Sequence, residues 1–148
     1  MLLAVHVAAA VTGFGAIAAT GAFAHEARTS EAPFHSRALA RYFRPGHNLA
    51  ARAIYLVPVA GGGLLALGHG GGVGAAWPWI GLALWVLAVS VATSTLWPAE
   101  AELQRLLLQG PEGEAAVLLG PARRLERSAA VCSVLFVAAL AVMVVQPR

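Results

Sequence analysis

Five histidines are the residues in this chain most able to do chemistry: His6, His25, His35, His47 and His69. Two imidazoles on different helices can ligate haem or copper. An imidazole inside a bilayer is a functional candidate by default. His6 is the only one within an apolar run, two turns into the first. His69 follows the second run in a Gly-rich turn. His6 and His69 are therefore the candidate cofactor-binding pair, with haem or copper as the cofactor. No Met-rich copper motif accompanies either. His25 and His35 fall in a polar segment and read as solvated. Cys132 is the lone cysteine, so it supports neither an internal disulfide nor a multi-thiolate site. Within its apolar run it reads as a small packing residue. No nucleophile–base pair, phosphate loop or pair of intramembrane carboxylates is visible. The expectation is a protein without chemistry of its own and without a metal centre of the usual ligand clusters.

The elements that position these residues are membrane helices. No Asp, Glu, Lys or Arg occurs between Ala53 and Ala99, and two further uncharged runs cover Leu2–Ala24 and Ser128–Pro147. Charged residues are only 11% of the chain, against about 25% in soluble domains. At about 20 residues per crossing, the runs hold four spans. They are expected at about 2–24, 48–67, 77–96 and 127–145. The fold class is an all-α, four-helix transmembrane bundle in one domain, 1–148. Every cation is Arg and every anion Glu, in an Ala- and Gly-rich chain, a composition typical of a GC-rich bacterial genome. The expected location is the bacterial cytoplasmic membrane. The formal charge of +3 is too small to imply nucleic acid, and Arg beside apolar runs implies lipid headgroups.

Charge also orients the bundle. Segment 25–52 holds five Arg and segment 100–127 four, whereas the turn from Gly68 to Ala76 holds none. By the positive-inside rule both termini face outward and the two Arg-bearing loops are cytoplasmic. Missing positive charge before the first run, with Arg28 after it, suits an uncleaved helix. Trp77 and Trp79 fit the outer interface and Trp97 the inner one. The helix from Trp79 to Trp97 spans about 27 Å at ~1.5 Å per residue, close to the hydrocarbon thickness. Arg41, Arg44, Arg52, Arg123 and Arg124 are the expected lipid-interface cations, Arg52 by snorkelling. Ser36–Phe43 reads as a short interfacial helix ended by Pro45-Gly46, with Asn48 able to cap the next helix. Pro98 is expected to open a separate polar helix, Ala99–Leu108.

Membrane helices associate through small residues. Helix 1 offers Ala9, Gly13, Ala16 and Thr20 on the arc of His6. Helix 3 offers Gly81, Ala88, Ala92 and Thr95, and helix 4 Ala130, Ser133, Val137 and Ala141. Helix 2 carries Pro58 and then Gly61, Gly62 and Gly63 near its middle. Broken helices at that depth often line a cavity. The plainer reading is a kink that lets another helix approach, with Gly62 at the crossing.

The opening Leu3-Ala4-Val5-His6-Val7 followed by Gly13-Phe14-Gly15, the polar Leu103-Gln104-Arg105-Leu106, and the closing Met143-Val144-Val145-Gln146-Pro147 together resemble a family of four-helix bacterial integral membrane proteins of unknown function. That family closes on Met-Val-x-Lys-Pro, where this chain has Gln146 in the Lys position. Helix 1 is also similar to the copper-resistance D membrane domain and to membrane protoporphyrinogen oxidase. These share a histidine in helix 1, and only His6 maps onto the pattern. The function expected is an accessory, assembly or interaction subunit whose partners are lipids and another membrane protein or a second copy of itself. The alternative is a haem- or copper-binding membrane protein using His6.

Overall fold

A computed structural model describes residues 1–68, 74–109 and 115–146, with His47 and Asn48 described by backbone alone. The described residues form helices and no strand. Four segments are long and apolar enough to cross a bilayer: Leu2–Thr29, Leu49–Ala66, Trp77–Leu108 and Ala115–Val145. The outward faces carry Val11, Val59, Val86, Val131 and Val134, all exposed, as lipid contact requires.

Helix α1 is Leu2–Thr29, longer than the charge-free run. Its polar last turn persists because Glu126 of the fourth span meets His25 Nδ1 and Arg28 Nε, both at 2.9 Å. Between spans 1 and 2, Pro33–His35 forms a 3₁₀ turn and α2 is Arg37–Tyr42. The Ser36 hydroxyl caps α2 by accepting from Leu39 N at 3.3 Å. Leu39 and Phe43 are buried, so α2 anchors into the bundle as well as lying at its end. Gly46 then turns the chain at φ +80°, in the left-handed region that glycine tolerates.

Span 2 starts as a 3₁₀ helix, His47–Tyr55, and becomes α3, Leu56–Ala66. The backbone N–H at its start follows Gly46, and the Asn48 side chain lies outside the described residues. Pro58 has no N–H, so the Ile54 carbonyl loses its α-helical donor. The Trp85 indole N–H of span 3 donates to it instead, at 2.8 Å.

Span 3 is one continuous rod rather than two helices. α4, Trp77–Val91, passes through a π-helical turn, Ala92–Leu96, into α5, Trp97–Leu108. The wider turn absorbs Pro98, whose missing N–H would otherwise orphan a carbonyl. Ser90, Thr93, Ser94 and Thr95 donate to carbonyls one turn back, which satisfies hydroxyls on an exposed face. Thr95 is therefore not on the packing stripe of Gly81, Ala88 and Ala92, all three of which are buried. Span 4 begins earlier than its apolar run. A 3₁₀ turn, Ala115–Leu118, leads into α6, Leu119–Val145.

Successive contacts run antiparallel. Phe14 stacks on Phe136 with centroids 4.5 Å apart, and a Cβ on Gly21 would lie 2.8 Å from Ala129 Cβ. At Gly13 a Cβ would meet the Ile54 backbone N at 2.6 Å, so spans 1 and 2 cross nearly backbone to backbone. Cys132 is fully buried with its Sγ 3.5 Å from Ala88 O, tying span 4 to span 3. The packing face of α6 is Leu125, Ala129 and Cys132. The expected stripe is turned away, with Ala130, Val137 and Ala141 exposed and Ser133 half-buried. Around the bundle the order is span 2, 1, 4, 3. Among the described residues, spans 2 and 3 close the ring through Trp85 on Ile54, Tyr55 against Trp97, and the Arg52 guanidinium 3.8 Å over the Trp97 ring. Leu3 near the start of α1 and Gln146 just past α6 lie at the Trp77 end of the bundle, where they line one cleft.

Candidate functional site

The gap between spans 2 and 3 is a cleft of about 560 Å³. Its walls are Leu3 and His6 from α1, Pro58 and Gly61 from α3, Trp79 and Trp85 from α4, with Met143 and Gln146 of the α6 end. A smaller inner cavity of about 190 Å³, lined by Phe14, Leu135 and Phe136 among others, shares His6, Trp85, Gly81 and Met143 with it. His6 thus stands between the bundle interior and the cleft.

Three local features fix His6. Its Nδ1 lies 2.9 Å from the Val57 carbonyl. A carbonyl only accepts, so Nδ1 carries the proton. In the neutral ring Nε2 is then an unprotonated acceptor, with no hydrogen-bond partner among the described residues. The ring also lies against Gly61, where a Cβ would sit 3.1 Å from Cε1 and 3.3 Å from Nδ1. Gly61 therefore makes room for the imidazole. Pro58 follows the accepting Val57 inside α3, which runs unbroken from Leu56 to Ala66 through Gly61, Gly62 and Gly63 rather than breaking there, and the imidazole docks on this stretch.

Trp77, Gly81 and Trp85 fall four residues apart on α4, and all three line the cleft. Gly81 is buried, with Met143 Cε 3.9 Å from its Cβ position. Met143 thereby brings a thioether to the cavities of His6, which sequence distance alone did not suggest. Of the glycines in span 2, Gly61 packs on His6 and Gly63 on Leu2, whereas a Cβ on Gly62 would meet nothing within 4 Å. Gly62 lines the cleft and is not at a helix crossing.

His69 lies outside the described residues, so the pair His6–His69 has no geometry to report. His25 instead joins Arg28 and Glu126, and His35 is exposed. Among the described residues no group of three or more His, Cys, Asp or Glu converges. Arg41, Arg44, Arg52, Arg123 and Arg124 are exposed at the opposite end, where Arg124 also reaches Glu102 at 2.7 Å. Trp79 is exposed, Trp77 is half-buried, and Trp97 is half-buried beneath Arg52. Trp85 and Met143 were missed as site residues. The Trp77–Gly81–Trp85 spacing was the available signal for the first, and the second had none.

Set against family models, curated proteins and solved structures, the chain matches none.

Proposed function

We propose that this chain is a multi-pass protein of the bacterial cytoplasmic membrane, with both termini outside, that acts by binding and serves as an accessory, assembly or interaction subunit. The observation that supports it is the site at His6. One ring nitrogen is held by Val57 O and the ring is seated on Gly61, which leaves Nε2 as the remaining acceptor of a residue that lines both cavities. Such a site recognises a group and holds it. The asymmetry of nine Arg in the two long loops supports the orientation, and those Arg are suited to anionic headgroups. The sequence likeness to the four-helix bacterial family belongs to the same proposal. A photo-crosslinking residue at lipid-facing Val11, Val59, Val86 or Val134 tests the subunit role in living cells. One face should give a discrete protein adduct. Lipid adducts alone from all four positions would refute it.

A second reading, haem or copper held by His6, is favoured by Met143, since a His and a Met together suit either. A Soret band or stoichiometric copper in the purified protein, lost with His6→Ala, would establish it.

A further inference from the structure

We infer that the cleft between spans 2 and 3 binds a neutral, lipid-soluble aromatic alcohol of the hydroquinone class, whose hydroxyl donates to His6 Nε2. The inference rests on the reading that this chain binds without catalysing, and it names the ligand class.

Access comes first. The cleft opens where spans 2 and 3 fail to pack, flanked by exposed Leu82 and half-buried Leu64 and Leu65. A molecule entering there comes from the bilayer. Charge comes second. No Arg or Glu is among the described residues lining either cavity, and the described Arg side chains cluster at the far end. Among the described residues of these walls the carboxylates of a haem meet no Arg, whereas an uncharged ligand needs none. Hydrogen-bond sense comes third. Val57 O fixes the proton on Nδ1, so Nε2 of the neutral ring accepts and does not donate. A hydroxyl satisfies it and a quinone carbonyl, which is also only an acceptor, does not. Shape comes last. Three indoles, Trp77, Trp79 and Trp85, face a space of about 560 Å³, within the range of small-molecule sites. Indole faces and edges favour a flat ring over an alkyl chain.

The test is calorimetric titration of the full chain in lipid nanodiscs with four probes of equal tail length: a decyl hydroquinone, its dimethyl ether, the decyl quinone, and a saturated alcohol. The hydroquinone should bind saturably, and the other three at least about tenfold more weakly. His6→Phe should abolish the preference for the hydroquinone over its ether. Gly15→Leu, on a face with open space, should leave it intact. If His6→Phe does not fold, the comparison of the four probes on the parent protein still decides. Equal binding of hydroquinone, ether and quinone overturns the hydrogen bond, and equal binding of the saturated alcohol overturns the aromatic class. No saturable binding of any probe overturns the site while leaving the subunit role standing. Turnover of the hydroquinone by the chain alone would instead overturn the non-catalytic reading and keep the site.

Discussion

Gly13→Ala is the most informative single change in the scaffold. The added methyl would lie 2.5 Å from Ile54 Cγ2, 2.6 Å from the Ile54 backbone N and 3.2 Å from Ala53 C. The Ile54 side chain is fully buried and has little room to rotate away. The backbone nitrogen moves only if span 2 moves. Overpacking of this kind costs typically about 1–3 kcal/mol, occasionally more, and a backbone clash belongs at the upper end. Helix propensity opposes it, since replacing Gly by Ala in a helix gains about 1 kcal/mol. The net expectation is a loss of about 2 kcal/mol. The shift should also disturb the Trp85–Ile54 bond. The assay is reversible unfolding in mixed micelles, read by tryptophan emission, with Gly62→Ala as the matched control. Gly62 has nothing within 4 Å of its Cβ position, so its replacement should be neutral or stabilising. Gly13→Ala protein as stable as the Gly62→Ala variant would show that spans 1 and 2 do not cross where the structure has them.

Other outcomes follow from the same contacts. Trp85→Phe removes the indole donor at Ile54 O and should cost about 1 kcal/mol in the same unfolding assay. Glu126→Gln weakens a half-exposed pair with His25 and Arg28. It should cost under about 1 kcal/mol, a difference that high salt erases. Cysteines at Ser30 and at Gly74, each in a Cys132→Ala background, report orientation in intact cells. An impermeant thiol reagent should label Gly74→Cys and spare Ser30→Cys, and the reverse pattern would invert the bundle.

How much of this was legible in the sequence depends on where contrast existed. The four spans stand out because charge is absent from them and present between the first and second and between the third and fourth, while the length of the 53–99 run and its Gly-rich turn divide the second from the third. Their ends do not, because α1 continues through Arg28 on the strength of an ion pair with Glu126, nearly a hundred residues away. The continuity of α4 and α5 was hidden for a similar reason. Pro98 reads locally as a break, and only the π-helical turn at Ala92–Leu96 carries the helix through it. In helix 1, Ala9, Gly13 and Thr20 are buried and Ala16 half-buried, but the helix is so rich in small residues that the sequence did not single out that arc. In helix 4 the stripe was misplaced by about one residue, from Ala130 to Ala129. A helix in lipid is apolar all round, so periodicity carries little information about its inner face. At the site, His6 was marked by being the only histidine within an apolar span. Val57 was not, because its contribution is a backbone carbonyl.

The central claim is that the cleft beside His6 holds an uncharged membrane-soluble molecule. Native mass spectrometry of the chain released directly from membrane patches, parent beside His6→Phe, tests it most directly. The account predicts an adduct with the mass of a lipid-soluble hydroquinone in the parent and its loss in the variant. A haem or copper adduct that disappears with the same substitution would contradict it.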